Sequence, residues 1–117
     1  MEFTSPFFVG GVAVGYVRFI STVYRVFGGD ASPKGFSWTP DKPQGDFRND
    51  AGLPSGGASG ANNTGRFVIQ GRVKNSDVLT RKMADPLDGN SGGSAREWII
   101  DPKNVKIDRV SGVNPEF

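Results

Sequence analysis

Glycine and proline divide this chain into short pieces. There are 17 glycines and 8 prolines in 117 residues, and the runs between them are rich in β-branched and aromatic side chains. A stable helix needs sustained 3.6-residue periodicity over about 10–14 residues, which glycine and proline interrupt. Strands of about five or six residues survive such punctuation. The pattern therefore predicts an α+β class that is mainly β: a compact sheet core with short helices and long glycine-rich loops.

Along the chain, residues 22–27 read as a strand stopped by Gly28-Gly29, with Val23, Arg25 and Phe27 on one face and Tyr24 and Val26 on the other. Residues 30–65 are dominated by Gly, Pro, Ser, Asp and Asn, with a brief strand at 36–39 and one helical turn at 46–51 before Gly52. The run SGGASGANNTG at 55–65 reads as a mobile loop. A strand is expected at 66–74, interrupted by Gly71. Residues 77–83 fit either a strand or a short helix, and 88–94 form a turn. Two strands at 97–101 and 105–110, joined by Pro102-Lys103-Asn104, read as a hairpin.

Composition closes off much chemistry. With no cysteine and no histidine, the chain has no disulfide, thiolate nucleophile or cysteine-ligated zinc, no Ser-His-Asp triad and none of the usual transition-metal sites. Catalysis here rests on carboxylates, hydroxyls and cations. The net charge is +2, and Arg66, Arg72, Lys74, Arg81, Lys82, Lys103, Lys106 and Arg109 are scattered. That fits a solvated surface or a polyanionic partner.

Residues 7–20 are apolar but broken by glycines and by Arg18, too short to span a membrane. Glu2 precedes them where a secretory leader carries cations. We read residues 1–21 as an N-terminal segment or linker from a larger parent and residues 22–117 as the domain. Glu2-Phe3 recurs as Glu116-Phe117, and this repeat reads as a cloning remnant.

Three patches then carry the functional argument: Tyr24-Arg25-Val26-Phe27-Gly28-Gly29, Ser37-Trp38-Thr39 and Glu97-Trp98-Ile99-Ile100. An arginine on the core-facing side of an apolar strand is costly unless its charge is paired or faces a cleft; the alternative turns Arg25 to solvent. A guanidinium forks naturally onto phosphate oxygens. Ser37 either sits in its strand or orients a carboxylate. Trp38 is either core or a stacking platform. Glu97 opens a strand after a glycine-rich loop, facing either solvent or a cleft. No second carboxylate pairs with it in the two-acid manner of a glycosidase.

Taken in order, one arginine, one hydroxyl and one glutamate on three short strands resemble the arginine-serine-glutamate class of ADP-ribosyltransferases. The segments at 24–29, 37–40, Asp50-Ala51-Gly52-Leu53-Pro54, Asn63-Thr64-Gly65-Arg66-Phe67 and Val110-Ser111-Gly112-Val113-Asn114-Pro115 further resemble the C-terminal toxin domains of Rhs-type polymorphic toxins. That group includes an ADP-ribosyltransferase acting on elongation factor Tu. The resemblance implies an ADP-ribosyltransferase-like split β-sheet and NAD as substrate. Arg25 would anchor NAD, Ser37 shape the pocket and Glu97 stabilise the oxocarbenium-like transition state. Gly28 would offer backbone contact, Val26 would line the site, and Tyr24 or Trp38 would stack on nicotinamide.

It further implies no metal, a monomer that acts in a target cell's cytoplasm after delivery from a larger toxin, and a cognate immunity protein. The macromolecular target is then elongation factor Tu or RNA. Two departures stand out: the acceptor-reading acid or glutamine two residues before the glutamate is Ala95, and the usual Ser-Thr-Ser triplet is Ser37-Trp38-Thr39. The rival readings are a ribonuclease toxin working without histidine and a non-catalytic binding module in which Arg25 and Glu97 form a salt bridge.

Overall fold

β1 runs from Ile20 to Gly29, as its β-branched and aromatic content predicts. The computed structural model describes residues 19–112, so the readings of the N-terminal segment up to residue 18 and of Val113 to Phe117 lie outside the described residues. β1 pairs antiparallel with the long β3 (Asn63–Lys74), in register from Ile20 opposite Lys74 to Phe27 opposite Phe67. β6 (Lys106–Gly112) lies on the other side of β3, completing a sheet of order β1-β3-β6. A second antiparallel sheet has the order β2-β5-β4, from Ser37–Trp38, Arg96–Ile100 and Val78–Met83. The protein is mainly β, built on these two small sheets.

The sheets meet at β1 and β2. Tyr24 and Thr39 exchange two backbone hydrogen bonds, 2.7 and 2.9 Å, while side chains from both sheets interlock behind them. Val23, Ile69 and Val73 come from the first sheet, Trp38, Val78 and Ile100 from the second, and Val105 from the connection between β5 and β6. Gly71 does not interrupt β3; its missing side chain admits Val105, whose Cγ1 would lie 2.6 Å from an added Cβ. On the opposite face of β1, Val26 and Val68 are also buried.

Several local readings change. Residues 78–83 are strand, entered through a 3-10 turn at Asn75–Asp77. The expected hairpin at the end of the chain is not one. Its strands belong to different sheets, and the 3-10 turn at Pro102–Asn104 carries the chain across so that Ile100 and Val105 enter one core. Asp101 shapes that turn, accepting from the Lys103 amide at 3.1 Å.

The glycine-rich loop is strapped down. Asn63 to Gly65 belong to β3, and the Asp88 carboxylate accepts from the amides of Ser55 and Ser59, each at 2.9 Å, and from the Ser59 hydroxyl. The single helical turn stands where expected, as α1 (Phe47–Asp50), and Gly52 with φ +59 turns the chain out of it.

Candidate functional site

Arg25 sits opposite Ile69 on the core-facing side of β1. Its half-buried guanidinium meets the desolvation cost through backbone carbonyls. Nε and Nη2 donate to the Ser32 carbonyl at 3.0 and 2.7 Å, and Nη1 donates to that of Ser37 at 2.9 Å. Burial lowers the guanidinium pKa from its ordinary value, and arginine stays charged regardless. Two of its five N–H groups remain outside these bonds. Gly35 lies flat against the guanidinium, so closely that an added Cβ would overlap Nη2 and Cζ.

The same Ser37 that receives Arg25 reaches forward to Glu97. Its hydroxyl donates to Glu97 Oε2 at 2.6 Å. The register explains the meeting: Ser37 opposes Ile99 and Trp38 opposes Trp98. Period-2 alternation therefore puts Ser37 and Glu97 on one face, with the core residues Trp38 and Ile100 on the other. Arg25, Ser37 and Glu97 thus form one hydrogen-bonded chain across three strands, with a serine standing between the arginine and the glutamate.

Lys82, on β4, lies directly opposite Glu97. Its Nζ is 3.6 Å from Glu97 Oε1 but 2.8 Å from Asp85 Oδ2. The Asp85 hydrogen bond and then the Glu97 charge raise the Lys82 pKa. Arg96, next to Glu97 in sequence, is gripped by Asp41: Nη2 to Oδ1 at 2.6 Å, Nε to both oxygens at 3.2 and 3.3 Å, and the Arg96 amide to Oδ2 at 3.0 Å. Those bonds hold the Asp41 carboxyl below its usual value. None of these four residues was singled out as a site residue from sequence: Lys82 and Asp85 pair locally, but their place beside Glu97 comes from the register of β4 and β5, and Asp41 meets Arg96 across 55 positions.

A cleft of about 450 Å³ opens here, with Tyr24, Arg25, Val26, Ser37, Trp38 and Glu97 on its walls together with Lys82, Asp85 and Arg96. Trp38 lines it from beneath. Only 2% of the residue is exposed, and Nε1 donates to the Gly35 carbonyl at 2.9 Å. The ring belongs to the core and offers no free face for stacking. Tyr24 is half-buried and Val26 buried.

Gly28 is not among the lining residues. Its amide donates to Ala31 at 3.0 Å and its carbonyl accepts from Ala31 at 3.1 Å, closing the turn after β1. With φ +141, and with Thr64 Oγ1 where a Cβ would lie, the position requires glycine for structural reasons. Ala95 is buried, and its amide donates to the Asp50 carbonyl at 3.2 Å.

Lys82 and Arg96 each hold an aspartate of their own; Arg25 is met by backbone carbonyls, and Glu97 is shared between the Ser37 hydroxyl and the more distant Lys82 ammonium. The arrangement can orient a carboxylate and set a planar cation some distance behind it. Among the described residues no three carboxylates gather in one place, and no helix is long and apolar enough to cross a membrane. No family model, curated protein or solved structure matches this chain.

Proposed function

We propose that the chain is an ADP-ribosyltransferase toxin domain with an ADP-ribosyltransferase-like split sheet, which cleaves NAD and passes ADP-ribose to a macromolecule. The observation that carries this reading is the continuous chain from Arg25 through the Ser37 carbonyl and hydroxyl to Glu97 Oε2, at 2.9 and 2.6 Å, along the wall of a cleft. A plain arginine–glutamate salt bridge would need no serine between the two.

In this reaction the bond between ribose C1′ and the nicotinamide nitrogen breaks. Nicotinamide leaves with the bonding pair, and an acceptor nucleophile forms the new bond to C1′ while losing its proton to solvent. Positive charge grows on the ribose, and a preorganised carboxylate stabilises it. Ser37 holds Oε2, which leaves Oε1 for the ribose. Arg25 contributes its field and its remaining N–H groups to the phosphates, and binding in the cleft supplies alignment. With Ala95 in place of an acceptor-reading side chain, the reading leans on elongation factor Tu only through the family resemblance. A cognate immunity protein would protect the producer.

The test is incubation with labelled NAD and a bacterial lysate, with Glu97→Ala alongside and RNA without NAD as a separate arm. Label on one macromolecule, lost in Glu97→Ala, is the expected result. Intact NAD with an unlabelled lysate, or RNA cleavage without NAD, refutes the proposal.

A further inference from the structure

Both cations flanking Glu97 are held by dedicated aspartates, and this arrangement has a chemical consequence. A carboxylate that stabilises a cationic transition state loses much of that capacity when an ammonium pairs with it. Lys82 stands directly across the strand pair from Glu97, within reach of Oε1 at 3.6 Å, yet its closer partner is Asp85 at 2.8 Å. Asp85 sits at the start of the turn after β4, with its side chain 76% exposed. Its side chain stays outside the core and accepts a hydrogen bond from Lys82. Asp41 holds Arg96 by the same logic on the neighbouring position.

Resting on the proposed NAD cleavage, we propose that Asp85 is a positioning residue: it draws the Lys82 ammonium away from Glu97 and so keeps Glu97 Oε1 available to the ribose cation. Neutralising Asp85 leaves Lys82 with Glu97 as its remaining partner. The ammonium then settles on Oε1, and the transition state loses its counter-charge. The ground-state contacts of NAD with Arg25 are untouched, so the loss falls on kcat rather than on KM.

The experiment is a double-mutant cycle on the full chain with NAD turnover as readout. Asp85→Asn lowers kcat roughly 5- to 10-fold, the size of closing the Lys82 ammonium from 3.6 Å to about 2.8 Å from Oε1 at an effective dielectric of about 20, with KM for NAD little changed. Adding Lys82→Met to Asp85→Asn recovers most of the lost kcat, a rescue that a merely structural role for Asp85 would not produce. A rise in KM in Lys82→Met, which would make Lys82 a phosphate anchor, overturns the proposal, as does a double variant slower than Asp85→Asn.

A second readout needs no activity. Adding Glu97→Gln shifts the NMR titration of the Lys82 ammonium to lower pH by more in the Asp85→Asn background than in the wild-type background; equal shifts refute the clamp. The two proposals separate cleanly. If Glu97→Ala retains turnover, or wild type leaves NAD intact, the function fails while the titration still decides the clamp. If Glu97→Ala is dead and the cycle shows no rescue, only the role of Asp85 fails.

Discussion

Replacing Gly35 by alanine adds one methyl group to a residue whose φ lies outside the left-handed region, at a place where the nearest atoms are Nη2, Cζ and Nη1 of Arg25. The backbone tolerates alanine there, so the methyl group acts on the guanidinium alone. Arg25 must withdraw and give up three hydrogen bonds, to the carbonyls of Ser32 and Ser37. Bonds to a charged donor contribute about 1.5–3 kcal/mol when buried. Here water can reach the displaced groups, and about 0.5 kcal/mol each is the better figure, about 1.5 kcal/mol together. Alanine returns about 0.5 kcal/mol by restricting the unfolded chain.

The net loss is about 1 kcal/mol, which lowers Tm by about 4–8 °C in a domain of this size. Thermal unfolding by circular dichroism measures it directly. In an Arg25→Ala background the clash disappears, and Gly35→Ala turns neutral or slightly stabilising, so a double-mutant cycle isolates the contact. On the proposed NAD cleavage, turnover drops with the stability, since the Ser37 carbonyl loses the anchor that sets its hydroxyl against Glu97. A Gly35→Ala protein as stable as its parent, with no coupling to Arg25, would falsify the account of how Arg25 is held.

Two further outcomes follow from the fold. The Asp88 carboxyl is pulled down to about 2 by the hydroxyl and amide of Ser59, with smaller contributions from the amides of Ser55 and Gly57. A depressed acid stabilises the fold above its unfolded value near 4 and loses that contribution as pH falls toward 2. Protection of the amides of residues 55–60, taken relative to the intrinsic exchange rate at each pH, should therefore fall between pH 4 and pH 2, and Asp88→Asn should show the low protection already at pH 7; equal protection in both proteins at pH 7 contradicts the strap. Ile100, fully buried where the two sheets meet, should cost about 2–5 kcal/mol as Ile100→Ala, read from denaturant unfolding; a loss under 1 kcal/mol would mean that the shared core is not the joint described.

What local sequence can express was legible, and what depends on distant pairing was not. The alternation Val23, Arg25, Phe27 separated the two faces of β1 but left open which turned inward, since β-branched and aromatic residues stand on both. Gly52 and Gly28 announced the ends of α1 and β1, because a positive φ is a property of one residue. The hairpin reading failed at Pro102, for nothing within those few residues says that the next strand joins another sheet. The loop at 55–60 looked free because the carboxylate that fastens it lies 29 positions away, at Asp88. Residues 77–83 stayed ambiguous because β4 is an edge strand whose side chains after Val78 are exposed, leaving no apolar alternation to read. Arg25, Ser37 and Glu97 could be named individually, but their hydrogen-bonded order, and the presence of Lys82 and Asp85 beside them, required the register of β2, β4 and β5.

The division of the core between two sheets ties the stability of this molecule to the geometry of its candidate site. Arg25 rides on one sheet, while Ser37, Lys82 and Glu97 ride on the other, and a two-bond seam at Tyr24 and Thr39 with one layer of side chains sets the angle between them. A repacked valine far from the cleft therefore acts as a vernier on the spacing between Arg25 and Glu97. The side chains that hold the sheets together are the same ones that set that distance.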